Sequence, residues 1–209
     1  MKSIATLLLV GLLTLIQSPV GSRSLLAQAT TTHIRFGTTA VKWEPTFSAA
    51  LGSAGIDVEL VAPAFSVVEK DVFRFPICGG GVDFANLTGE VSHAGGLRFV
   101  RDDRVLSVTD FILCIPREDG FSRICPLSAL ITADHSLIGR TDLFDLDFAN
   151  SETVISFPKL SVQRIFITNV VARLTQDGAF QFNQVFGTSF GTVVPVATFT
   201  IRVIAMDEL

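Results

Sequence analysis

Tyrosine is missing from the 209 residues altogether, tryptophan occurs once, and cysteine and histidine occur three times each. The side chains from which metal centres and nucleophilic sites are built are therefore scarce. The cysteines include no CxxC pair and no Cys/His spacing of the kind that holds structural zinc. Charged residues make up only 17% of the chain, the formal net charge is −4, and lysine and arginine never form a run. That balance argues against nucleic acid or an anionic membrane surface as partner. There is also no GxSxG, no HExxH and no glycine loop ending in Lys-Ser or Lys-Thr, and no pair of carboxylates stands out for acid–base work. The chain is therefore not expected to be an enzyme.

What is present first is an export signal. Lys2 supplies a positive start, residues 4–16 form an apolar run too short to span a bilayer comfortably, and Ala27-Gln28-Ala29 fits the small-x-small rule. Cleavage is predicted after Ala29, so that residues 1–29 are a signal peptide; cleavage near Gly21 or Ser22 and an uncleaved anchor are the alternatives. No cysteine follows the apolar run closely enough for a lipid anchor. Residues 30–209 then make a single domain, long enough to bury a core and without a second hydrophobic span. Loss of Lys2 and Arg23 makes it more acidic still. The expected location is the periplasm, the cell surface or the extracellular medium.

Export permits oxidation, and Cys114 and Cys125 flank the segment IPREDGFSRI. Its polar 116–123 stretch, with Asp119-Gly120, reads as a hairpin loop between two strand ends, so a Cys114–Cys125 disulfide is predicted. Cys78 is left over. It is expected to be a buried inert thiol, the alternatives being a bond to another cysteine or to a partner chain.

Alternation with period two dominates the chain. Segments 33–43, 57–61, 65–75, 87–93, 97–101, 105–113, 127–132, 142–148, 153–157, 161–174 and 193–204 read as strands. Gly79-Gly80-Gly81, Gly95-Gly96, Asp119-Gly120, Gly139 and Asn150 are read as turns between them. So many short strands predict a mainly β fold: an antiparallel sandwich, a roll or a partly closed barrel. Two segments break the pattern. Residues 45–52 and 177–187 read as short helices, each stopped by glycine, giving two strand–helix–Gly–strand units that either record a duplication or are coincidental.

The glycine-rich block carries a family resemblance. Phe75-Pro76, Gly79-Gly80, Val82-Asp83, then Leu87, Gly89, Val91, His93, Gly95-Gly96-Leu97 and Asp110-Phe111 follow one another as they do in exported bacterial proteins with an HtaA-type haem-transport domain. The segment Leu143-Phe144-Asp145-Leu146-Asp147 and a helix running into Phe186-Gly187 resemble the same family in matching order. The resemblance implies a β-rich domain with two short helices, and haem binding through an axial tyrosine assisted by histidine. The absence of tyrosine removes that ligand. His93 matches the family histidine and becomes the candidate haem-iron ligand, with Gly95 and Gly96 allowing a flat ligand close to the backbone. The other reading of His93 is a polar residue at a strand end, hydrogen-bonded across a turn, with the eighteen phenylalanines serving as ordinary core.

His33 and His135 are read as solvated. Asp142, Asp145 and Asp147 suggest either a cation site, to which Asp134, Asp102 or Asp103 would add ligands, or a solvated face; Asp145 and Asp147 share one side of a strand and need water, a cation or a basic neighbour. Asn86-Leu87-Thr88 is a formal glycosylation sequon and is read as a surface turn. Two functions remain: an exported structural or interaction module without a cofactor, whose partner is a protein or a cell-wall component, and a haem or tetrapyrrole carrier using His93.

Overall fold

The alternating segments hydrogen-bond edge to edge into a ring. The structure, a computed structural model, describes residues 31–66, 72–83, 88–116, 124–159 and 162–206. The 1–29 signal, the Asp119-Gly120 loop and Asn86 of the sequon lie outside them. Among the described residues the elements are β1 Thr31–Trp43, α1 Pro45–Ser53, β2 Asp57–Val61, β3 Phe65–Ser66, β4 Val72–Asp83, β5 Thr88–His93, β6 Gly96–Arg101, β7 Arg104–Ile115, β8 Ile124–Ala133, β9 Ser136–Asp147, β10 Glu152–Lys159, β11 Val162–Leu174, α2 Gln176–Phe186 and β12 Pro195–Met206. Strands β7, β5, β4, β1, β12, β11, β9 and β8 pair antiparallel in that order, and β8 returns to β7. The fold is thus a closed barrel. Of the three architectures expected, the barrel is realised, with full closure by the β7–β8 ladder.

Closure depends on two long strands that change partners halfway. On β7 the buried side chains are Leu106 and Val108, then Phe111, Leu113 and Ile115, so the inward phase shifts by one residue at Asp110. Asp110 has φ 51°. There β7 stops pairing with β6, matched up to Thr109, and takes up β5 from Ile112. On β11 the same device recurs: Ile165 and Ile167 are buried, then Val170, Ala172 and Leu174, with Asn169 at φ 60°. Here β11 moves from β10 to β9. Asp and Asn tolerate the left-handed region better than other side chains, and a one-residue bulge bends a strand and increases its twist. Strands β6 and β10 are left as branches outside the ring, with β2 pairing on β6.

The glycine triplet is corrected by the structure. Gly79, Gly80 and Gly81 lie inside β4 and pair with Ser92, Val91 and Glu90 of β5, so they are strand and not turn. A Cβ on Gly80 would stand 2.1 Å from the Glu90 carbonyl oxygen, which accounts for glycine there. Gly139 is likewise within β9; the reversal is made by Asp134 and His135, both at positive φ, which join Ala133 to Ser136 as a two-residue hairpin loop. Helix α1 continues through Gly52, whereas α2 ends on Gly187 in the left-handed conformation, as read from the sequence. The two strand–helix–strand units are not equivalent: β12 lies in the ring between β1 and β11, and β2 lies outside it.

Cys114 on β7 and Cys125 on β8 form the predicted disulfide, with Cα atoms 5.8 Å apart. It sits just past Leu113 and Leu127, the last matched pair of the closing ladder. Replacing both cysteines with alanine is expected to lower unfolding stability by about 2–3 kcal/mol through the entropy of the unfolded loop. The urea midpoint of the double variant measures this, and free thiols at both positions in exported protein would refute the bond.

Candidate functional site

His93 ends β5 at the point where the chain kinks through Ala94 and Gly95 into β6. The kink is held on both sides, Ala94 N–H donating to the Pro76 carbonyl at 3.0 Å and Asp110 N–H to the Gly95 carbonyl at 3.1 Å. The imidazole points into the barrel and is only 3% exposed. Its Nδ1 lies 3.3 Å from the Phe111 carbonyl oxygen and its Nε2 2.7 Å from Thr39 Oγ1. A carbonyl can only accept, so Nδ1 carries the proton and Nε2 accepts from the Thr39 hydroxyl. His93 thereby ties β5 to β1, across β4, and to the bulge of β7. Burial pushes its pKa down to about 4, an effect that the hydrogen bonds to the Phe111 and Val91 backbone only partly oppose.

Around this link the interior is filled with rings. Trp43 contacts Phe47, Phe73, Phe99 and Phe144 at centroid distances of 5.2–6.5 Å. Phe182 of α2 packs edge-on against Phe99 of β6 at 4.7 Å and against Phe47 of α1 at 6.4 Å, so both helices add aromatic side chains to the same cluster. What space remains beside His93 is an apolar void of about 20 Å³, bordered by Thr39, Trp43, Phe75, Phe111 and Phe144 among others. A small-molecule site has roughly 300–1,000 Å³.

These residues do not fit haem. Both imidazole nitrogens already have partners, and among the described residues the space beside them, about 20 Å³, is too small for a porphyrin. Gly95 and Gly96 serve the backbone instead: Gly95 has φ 84°, with an added Cβ 2.6 Å from Ala64 N, and a Cβ on Gly96 would fall 2.1 Å from the Val108 carbonyl oxygen. They bring the β2–β3 connection and β7 against the kink, and both glycines are buried.

The carboxylates acquire a basic neighbour. Arg173 lies opposite Asp145 and forms an ion pair with Asp147 at 3.2 Å, while Asp147 also accepts from Ala149 N–H. Asp134 binds Arg104 and Val105 N–H. Among the described residues no group of three His, Cys, Asp or Glu side chains could hold a metal ion. His33 and His135 are exposed, as expected. Cys78 is a correction: it is free and exposed, because it lies on the outer side of β4 beside the glycines, where its thiol donates to the Ser92 carbonyl at 3.4 Å.

Sequence reasoning found His93 and missed Thr39 and the Phe111 carbonyl. A signal for the second existed in the phase shift at Asp110, which turns the Phe111 peptide toward the kink.

No protein-family model matches the chain, and no curated protein matches it. Among solved structures the fold is similar to the C-terminal domain of HtaA from Corynebacterium glutamicum, at 14% identity and a TM-score of 0.58, covering 83% of this chain and 99% of that one. It is similar also to the N-terminal domain of the same protein, at 14% identity and a TM-score of 0.53 with the same coverage. The chain has an HtaA-like fold.

Two outcomes follow from the geometry. The folded barrel keeps His93 neutral down to about pH 4, whereas the unfolded chain protonates it near 6.5. The stability tied to this residue is therefore complete above pH 6.5 and is lost as the pH falls toward 4, by about 3 kcal/mol in all. Urea midpoints from pH 7 to 4 are expected to fall more steeply for the native chain than for His93→Gln; equal slopes would contradict the buried neutral imidazole. Gly96→Ala is expected to cost more than about 2 kcal/mol by displacing β7, read from the same titration at pH 7.

Proposed function

We propose that the protein is an exported, non-enzymatic β-barrel module of the periplasm or cell surface that acts through its outer surface. The observation that carries this reading is the use of both His93 nitrogens inside a barrel packed with phenylalanine. A residue so engaged is a structural link between strands. The outer side offers more: a groove of about 370 Å³ crosses β10, β11 and β12, bordered by Val154, Arg164, Phe166 and Arg202. Arg202 lies over the Phe166 ring at 5.0 Å. Exposed arginines beside a half-buried aromatic ring have the composition of protein interfaces. Among the described residues no helix is long and apolar enough to cross a membrane. The HtaA-like fold supports tetrapyrrole carriage as the second reading, and in this chain that would require a ligand other than His93 as it is folded.

Titration with haemin under reducing and oxidising conditions separates the two. The expected result is the spectrum of free haem, unchanged by the protein and by His93→Ala. A saturable Soret shift would overturn the proposal in favour of the carrier, with His93 as the ligand if His93→Ala abolishes the shift and another side chain if it does not.

A further inference from the structure

We infer that the protein self-associates through β10, whose outer edge pairs antiparallel with the same strand of a second copy about a two-fold axis at Ile155. Among the described residues β10 is bonded along one edge only, to β11. An edge strand invites pairing unless charge, proline, a bulge or shortness prevents it. The opposite end of the sheet shows such protection: β2 is short and carries Asp57 and Glu59, and Glu59 is held by Arg98 Nε at 2.8 Å. Strand β10 is longer; its protection, Pro158, Lys159 and the register irregularity after Ser156, is confined to one end, and from Thr153 to Phe157 it carries neither charge nor proline. Val154 is 58% exposed and Phe157 65%.

A two-fold axis normal to the sheet keeps the outer faces of both copies on the same side, so opposed residues must lie on like faces. Centring on Ile155 meets this requirement, placing Ile155 against its own copy, Val154 against the partner's Ser156 and Thr153 against the partner's Phe157. The charges then complement each other. Arg164 lies beside Ser156 in the β10–β11 register, and across the small Ser156 side chain the partner's Glu152 is the diagonal neighbour. Two strand spacings, roughly 10 Å, separate the two backbones, a span that an arginine and a glutamate cover together. Within one copy both residues are exposed, and neither forms an ion pair among the described residues. The symmetry supplies the pair twice.

Sedimentation of the exported chain over a concentration series tests this. A dimer is expected, and Val154→Lys is expected to convert it to monomer by setting two ammonium groups beside the axis, while Val193→Lys, at a position 81% exposed elsewhere, leaves it dimeric. Glu152→Arg or Arg164→Glu alone should weaken the dimer roughly tenfold, since each breaks two symmetric pairs, and the combined E152R/R164E exchange should restore it. Far-UV spectra and melting temperatures identical to the native chain show that these surface changes leave the barrel folded. A monomer at every concentration, a dimer that survives Val154→Lys, or an exchange no better than its single changes would overturn the inference.

Discussion

The barrel depends on two residues held at positive φ, Asp110 and Asn169. Each sits in the middle of a long strand, and each shifts the inward-facing phase of its strand by one residue. Without the shift β7 would continue along β6 and β11 along β10, and the sheet would stay open as two diverging layers. With it, β7 turns to β5 and β11 to β9, and the ring closes. The His93 link reinforces one of these corners: the carbonyl it binds belongs to Phe111, the residue after the bulge. A polar contact at the base of an aromatic core thus fixes the angle at which a strand leaves the barrel.

The interior and the exterior have different roles. Inside, rings from the barrel strands and both helices meet around Trp43 and leave a void of about 20 Å³, so that burial there produces rigidity and not a receptacle. Outside, the charges are segregated by the fold. A chain with a net charge of −4 presents Arg164 and Arg202 together with Phe166 and Val154 on one sheet face. Composition averages this away, and only the register of β10, β11 and β12 brings the two arginines to the same side.

Much of the architecture was legible in advance because period-two alternation encodes strand faces directly. The strands at 57–61 and 97–101 match β2 and β6 closely, and both helices were found from the break in alternation. Where the reading failed, the cause was a residue whose usual role was not its role here. Three consecutive glycines suggested a turn but lie in β4, since adjacent backbone passes too close for a side chain at Gly80. Cys78 was read as buried from the habits of lone cysteines, and its exposure depends on which side of β4 faces outward. The disulfide was legible because the ten residues between Cys114 and Cys125 have a polar centre flanked by apolar strand ends, the pattern of a hairpin loop.

His93 shows the boundary most clearly. Its position among glycines marked it as special, and the lack of tyrosine already weakened a haem site of the family type. Whether the imidazole faced a cleft or a hydrogen-bond partner depended on Thr39, fifty-four residues earlier in the chain. By itself the sequence determined the β class, the two helices and the cysteine pairing, because alternation, capping and loop composition are local in the chain. Only the tertiary structure decided the closure of the ring, the partners of His93 and the grouping of the two arginines, because each arises from contacts between strands that the chain brings together from distant segments.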